Sequence, residues 1–258
     1  MTEKKPSIGA FYQCFKRQEA VVSVVQSFRD YYPNEGVFMV CDGGYDYKKL
    51  AEHFGAHYEY EVSHVGNEKT TIFSSQDQLL TWLRRVYRAA EYLKEDYILV
   101  LEDDVSVRSE INEKLRFTIN GVNKDVRLGR EITSFLKKKN KSIPWWRLNY
   151  FWGGFGGCVI NRKFILENFK NIEEDIKVLK PYVKYDLYSS DIWLTILVLY
   201  HGGTIGPYEG LCETWYELYP FRRDFKKDIA VLHQYKEIYG RPLTDADRSI
   251  LGDSADFS

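Results

Sequence analysis

Tyr97-Ile98-Leu99-Val100-Leu101 runs straight into Glu102-Asp103-Asp104. A short, continuous apolar run of this kind reads as a strand covered on both faces, as in a parallel sheet. Three adjacent carboxylates at its end repel one another unless a cation or hydrogen-bond donors lie among them. In open α/β sheets ligands gather just beyond the carboxyl ends of the strands, which is where these acids would lie. Carboxylate oxygens suit a hard divalent ion, Mn²⁺ or Mg²⁺. In isolation the same triplet also reads as an acidic turn leaving a strand, so the flanking sequence has to decide.

Upstream, Gln76 to Leu93 places Leu79, Leu80, Leu83, Val86, Tyr87, Ala90 and Leu93 at helical spacing, a single buried stripe that feeds into the strand. Ile8 to Tyr12 reads as a first strand and Glu19 to Phe28 as a helix packed on it, before Pro33-Asn34-Glu35-Gly36 breaks the chain. Val37 to Cys41 makes a second buried strand ending in the turn Asp42-Gly43-Gly44. Tyr47 to Phe54 reads as a short helix closed by Gly55, and Ala56 to Tyr60 as a third strand. This alternation favours a mainly parallel sheet of the nucleotide-binding type.

Downstream the pattern changes. Ile111 to Lys141 is polar and reads as helical or irregular, and Pro144 to Trp152 is densely aromatic, followed by Gly153-Gly154-Phe155-Gly156-Gly157. Asn161 to Phe169 reads as a short helix, and Asp191 to Tyr200 as an apolar one broken by His201-Gly202-Gly203. With no internal repeat and no low-complexity linker, the expectation is one domain over residues 1–248. Its nucleotide-binding half spans about 8–105 and its acceptor half about 106–240, with a flexible C-terminal tail at 249–258.

Bulk composition excludes several classes. The 258 residues are 44% hydrophobic and 28% charged, which favours a folded chain over a disordered one. A net charge of −1 gives no general attraction to nucleic acid or an anionic membrane, so no nucleic-acid partner is expected. The basic clusters at Lys137-Lys138-Lys139 with Lys141, at Arg222-Arg223 and at Lys226-Lys227 read as solvated faces. Cys14, Cys41, Cys158 and Cys212 form no C-x-x-C pair, which argues against a zinc knuckle or disulfide framework and fits a reducing compartment. The N-terminus has no apolar core of a signal peptide, and Ile192 to Tyr200 falls short of the ~20 residues that cross a bilayer. A cytoplasmic protein without an integral membrane segment is expected.

Several residues carry candidate chemistry. Asp42 could accept hydrogen bonds from a nucleobase or ribose, with Gly43-Gly44 admitting a ligand close to the backbone; the same residues also make an ordinary turn. Trp145, Trp146 and Trp152 offer apolar platforms for sugar rings, or simply core. Asp191, after Ser189-Ser190, reads either as a capping residue or as a general base. His233, between apolar neighbours, reads as a core histidine or as a metal ligand. No Ser–His–Asp arrangement and no H-E-x-x-H motif is present.

Taken in order, from Ile8 to Tyr239, these features resemble the GT-A fold glycosyltransferases, which move sugars from nucleotide-sugar donors. The resemblance implies an α/β, Rossmann-like, mixed but mostly parallel sheet flanked by helices. Ile8-Gly9-Ala10-Phe11-Tyr12-Gln13 resembles the first donor-binding strand and loop, implying donor contacts from Ala10, Phe11 and Tyr12. Val40-Cys41-Asp42-Gly43-Gly44 resembles the second, whose acid contacts the base. Leu101-Glu102-Asp103-Asp104-Val105 resembles the D-x-D metal motif in an acidic form, with Glu102 and Asp104 toward the metal and Asp103 toward the donor. Glu102 stands where an Asp is usual, and its longer side chain has the ribose or a metal-bound water as other destinations. Trp152-Gly153-Gly154-Phe155-Gly156-Gly157 resembles the glycine-aromatic loop near donor sugar and acceptor. It implies donor contacts from Gly153 and Gly154 and acceptor contacts from Trp145 and Trp152. Ser190-Asp191-Ile192-Trp193 resembles the segment that supplies the base in inverting members, and His233 matches a late histidine that completes the metal shell.

The implied activity is metal-dependent transfer of a sugar from a nucleoside-diphosphate sugar to a hydroxyl of a carbohydrate or glycoconjugate acceptor, inverting, with Asp191 as base. A retaining route is the alternative within the class. A sugar-1-phosphate nucleotidyltransferase would need a glycine-rich basic loop after the first strand, and Phe11-Tyr12-Gln13-Cys14 has no glycine. A non-catalytic carbohydrate-binding protein could use the tryptophans but needs no carboxylate triad.

Overall fold

The structure is a computed structural model and describes residues 5–62, 72–73, 75–121, 156–177, 188–213, 229–233, 235 and 238–252, without the side chains at 72–73, 188–192 and 213. Trp145, Trp146, Trp152, Gly153 and Gly154, together with the basic clusters at 137–141, 222–223 and 226–227, lie outside these residues.

Twelve strands and six helices are described. They are β1 (Ile8–Cys14), α1 (Gln18–Tyr31), β2 (Val37–Asp42), α2 (Lys48–His53), β3 (His57–Glu61), β4 (Ile72–Phe73), α3 (Gln76–Tyr92), β5 (Tyr97–Leu101), β6 (Ser106–Val107) and β7 (Ile119–Asn120). There follow β8 (Val159–Asn161), α4 (Arg162–Ile176), β9 (Tyr188–Ser189), α5 (Ser190–Tyr200), β10 (Ile205–Gly206), β11 (Leu211–Glu213), β12 (Val231–His233) and α6 (Asp245–Leu251). The main sheet has seven strands in the order β10-β7-β8-β5-β1-β2-β3. Pairs β5–β1, β1–β2, β2–β3 and β7–β10 are parallel, whereas β8 runs antiparallel to both β5 and β7. A mixed, mostly parallel sheet between helices is therefore what the alternating pattern builds.

Each central strand serves two cores, because successive side chains leave opposite faces. Phe11, Phe38, Val40, Ile98 and Val100 face α3, α4 and α5, where they meet Leu79, Leu83, Val86, Ala90, Ile165, Phe169 and Leu197. Ala10, Tyr12, Met39, Cys41, Leu99 and Leu101 face α1, α2 and α6, among Val21, Val25, Phe28, Leu50 and Leu251. Burial of both faces explains why β1, β2 and β5 read as continuous apolar runs rather than alternating ones. Ser75 caps α3 by accepting from the Gln78 N–H, and Asn161 caps α4 by accepting from that of Phe164.

Three elements differ from the sequence reading. The helix expected to end near Phe169 runs on to Ile176, because Ile172 and Ile176 continue its buried stripe. The chain does not fray at Arg248: Thr244 and Asp247 form a capping box, and Leu251 at the end of α6 is fully buried against α1 and α2. The polar stretch after Ile111 contains β7, and a small second sheet, β11-β12-β6, joins three strands too short to show a period. No helix among the described residues is long and apolar enough to cross a membrane.

Candidate metal centre

The second sheet is what completes the site. The acids leave β5 in a tight turn, with the Val105 N–H donating to the Glu102 carbonyl at 3.0 Å, and the chain enters β6 at once. Strand β12 pairs antiparallel with β6, matching Leu232 to Ser106, and the Tyr235 N–H donates to the Asp104 carbonyl at 2.8 Å. His233 is thereby brought alongside the acid turn. Its Nε2 lies 3.6 Å from Glu102 Oε2 and 3.6 Å from Asp104 Oδ1.

One ligand atom from each of Glu102, Asp104 and His233 falls within 4.8 Å of the other two. Oxygens around an octahedral Mg²⁺ lie at about 2.1 Å, so neighbours are ~3 Å apart and opposed ones ~4.2 Å. The two separations from His233, 3.6 Å each, fall between those values. The two carboxylates suit Mn²⁺ or Mg²⁺, the imidazole favours a transition metal such as Mn²⁺ over Mg²⁺, and the set fits the divalent ion that the resemblance implies. The backbone leaves room for no more protein there. A Cβ at Gly156 would stand 2.8 Å from Val105 Cγ2, 2.9 Å from His233 Cδ2 and 3.0 Å from Glu102 Cβ. Gly157, at φ +83°, turns the chain into β8 and donates its N–H to the Val100 carbonyl at 2.8 Å. The last two residues of the glycine loop are thus packed against the candidate ligands.

Asp103, the middle acid, points elsewhere. The Tyr12 hydroxyl donates to its Oδ1 at 2.7 Å. Burial pushes the Asp103 carboxyl up to about 6; the Tyr12 hydrogen bond and the charge of Arg17 act downward, and Asp104 and Glu102 act upward. Burial, then the charge on Asp103, holds the Tyr12 hydroxyl well above its ordinary value. Tyr239 is raised in the same way, by burial and then by Asp104 and Asp103.

The structure places the side chains of the first two donor segments largely within the sheet and its cores. Strand β1 extends to Cys14, so the side chains of Ala10 and Phe11 lie mid-strand in opposite cores, and the hydroxyl of Tyr12 reaches Asp103. Asp42, 1% exposed, is turned inward to Arg85, whose Nη2 donates to its Oδ1 at 3.0 Å. Arg85 is fully buried and also donates to Gln13 Oε1 (2.9 Å) and Glu61 Oε2 (2.7 Å), joining the ends of β1, β2 and β3. Arg88, one turn on, reaches Glu59 and Glu61. Nor does Gly44 admit a ligand: a Cβ there would lie 1.8 Å from the Phe15 carbonyl oxygen, so the close approach is between two turns of the protein. The Arg85 hub was not read from the sequence; a basic residue three positions after Trp82, on the apolar side of α3, was its one local signal. Asp191 lies in the first turn of α5, and its side chain is outside the described residues.

No family model and no curated protein matches the chain. Among solved structures it is similar to the galactosyltransferase LgtC in complex with donor and acceptor sugar analogs, with a TM-score of 0.57 and 13% identity over 94% of this chain and 100% of that one. It is also similar to an active-site mutant of LgtC, with a TM-score of 0.51 and 15% identity over 92% of this chain and 88% of that one. At such identities the likeness is one of fold. The chain has the GT-A fold.

Proposed function

We propose that the protein is a metal-dependent glycosyltransferase that moves a sugar from a nucleoside-diphosphate sugar to a hydroxyl of a carbohydrate or glycoconjugate. The observation that carries this reading is the convergence of Glu102, Asp104 and His233 at the carboxyl end of β5 in a sheet of GT-A type. LgtC, similar in fold, is a galactosyltransferase bound to donor and acceptor sugar analogs in its structure.

In this reading Glu102, Asp104 and His233 hold Mn²⁺ or Mg²⁺. The ion supplies Lewis-acid neutralisation of the charge that collects on the departing nucleoside diphosphate, usually worth several kcal/mol. Tyr12 fixes Asp103 so that the acid turn keeps one shape, and Asp103 remains beside the donor rather than among the ligands. Gly156 keeps the space between His233 and Glu102 clear. Asp42 acts on the nucleotide only through the Arg85 hub, which orders the ends of β1, β2 and β3. Asp191, at the start of α5, takes the proton from the acceptor hydroxyl as its oxygen attacks the anomeric carbon, and a single displacement inverts the configuration. Gly153, Gly154, Trp145 and Trp152 belong to the sugar-binding side of the same proposal.

The test is to incubate the protein with a panel of nucleotide-sugars and Mn²⁺, with and without glycan acceptors, and to follow release of nucleoside diphosphate. Acceptor-dependent release, abolished by EDTA and restored by metal, is expected; no release from any donor defeats the proposal. On the active pair, Asp191→Asn should bind donor as wild type does while turnover falls by roughly 10²–10⁴. A product with retained anomeric configuration would remove Asp191 from that role.

A further inference from the structure

Arg17 closes the turn between β1 and α1, and its guanidinium carbon lies 4.0 Å from the centre of the Tyr239 ring. Both partners are held in place. The turn is pressed onto that of β2, where Gly44 meets Phe15 and the Tyr45 N–H donates to the Phe15 carbonyl at 3.2 Å. The segment bearing Tyr239 is tied to the first turns of α1, because the Gly240 N–H donates to Glu19 Oε1 and Arg241 Nε to Ser23 Oγ, each at 3.0 Å. Four residues before Tyr239, the Tyr235 N–H donates to the Asp104 carbonyl. The stacked pair therefore sits where the chain passes from the candidate metal ligands to α1, and the charge of Arg17 acts on Asp103.

That position answers a charge problem. Glu102, Asp103 and Asp104 bring three carboxyl groups, a divalent ion offsets two charges, and a nucleotide-sugar brings two more negative charges on its diphosphate. Acids and ion alone would make a poor site for an anion. A guanidinium held over an aromatic face is partly stripped of water and pre-organised, and its N–H edge matches phosphate oxygens.

We propose that Arg17, stacked on Tyr239 beside the acid turn, binds the diphosphate of the donor together with the divalent ion and selects diphosphate-activated donors. This rests on the donor class argued above and adds the side chain that reads it.

Calorimetry on the full chain tests the inference. The probes are Mn²⁺ alone, inorganic pyrophosphate with Mn²⁺, and UDP, GDP and ADP with Mn²⁺, each beside its monophosphate. Arg17→Ala should weaken pyrophosphate and the preferred nucleoside diphosphate by about 10- to 100-fold, the value of a charge-assisted contact. Its loss for the monophosphate should be smaller, Arg17→Lys should recover part of the affinity, and binding of Mn²⁺ alone should be unchanged. Equal diphosphate affinity in wild type and Arg17→Ala overturns the inference, as does an equal loss for mono- and diphosphate. Loss of Mn²⁺ binding or of folding in both Arg17 variants would make the residue structural and also overturn it. Wild type that binds no diphosphate with Mn²⁺ would strike the glycosyltransferase reading itself.

Discussion

Tyr12 and Asp103 form a hydrogen bond of 2.7 Å that joins β1 to the acid turn after β5. Strand register places Tyr12 beside Leu101, so the phenol stands just under the turn and reaches over it. The consequence is a division of labour among three adjacent acids. Asp103 is anchored to the sheet, whereas Glu102 and Asp104, on either side of it, converge on His233.

Asp104→Asn should keep the shape of the turn and remove charge from the metal site. Transfer is expected to fall at least ~100-fold. Folding should change little, since one of three crowded carboxylates loses its charge. Melting temperature with and without Mn²⁺ checks this: wild type should rise with the ion, and the variant should not. A variant with full activity would remove Asp104 from the metal.

Gly156→Ala should damage the same site through packing. The added methyl meets Glu102 Cβ, His233 Cδ2 and Val105 Cγ2, all at 3.0 Å or less, and two of these belong to candidate ligands. Overpacking of this kind costs typically 1–3 kcal/mol. A lower melting temperature together with weaker Mn²⁺ binding is expected. An alanine variant that binds Mn²⁺ like wild type would show that the ligands can move apart freely.

Arg85→Met should be among the more damaging single changes in the sheet. It removes the guanidinium that pairs with buried Asp42 and leaves that carboxylate in the core without the pair's charge. Breaking a buried ion pair by removing one partner costs about 3–5 kcal/mol. Urea unfolding of Arg85→Met, Asp42→Asn and the double variant measures it, and the double variant should recover part of the loss. Independent, additive losses would mean that the two residues are not coupled.

The α6 cap carries a pH signature. Asp247 accepts from Arg241 Nη1 (2.7 Å), Arg241 Nη2 (3.2 Å) and the Thr244 N–H (2.8 Å), and these donors hold its carboxyl down at about 2. A folded-state value below the ordinary one means that the carboxylate stabilises the fold above about pH 4 and that this contribution is lost as pH falls toward 2. Asp247→Asn should therefore destabilise the fold near neutral pH, by about 1 kcal/mol once solvent screening of the pair is allowed for. The gap to wild type should close on acidification through that window, as followed by urea unfolding at each pH. A gap that stays constant from neutral to acid pH would place the stabilisation elsewhere.

Much of the fold was written in local pattern. The apolar runs at Ile8, Val37 and Tyr97 and the stripe along α3 specify β1, β2, β5 and α3, because residue spacing alone decides which side chains share a face. The placement of Glu102, Asp103 and Asp104 at a strand's carboxyl end followed from the same pattern, since it needs only the strand before them. Strands β6, β11 and β12 were not legible: two or three residues show no period, and they exist because they pair with one another.

What the sequence by itself determined is the sheet between helices and an acid turn at its rim. What only the tertiary structure decided is who meets whom there. His233 joins Glu102 and Asp104 through the pairing of β12 with β6, Arg85 crosses from α3 to take Asp42, and Arg17 stacks on Tyr239. A side chain's own neighbours set its face, but its partner across the fold depends on where distant backbone closes. Identical residues would serve other partners if that closure were different.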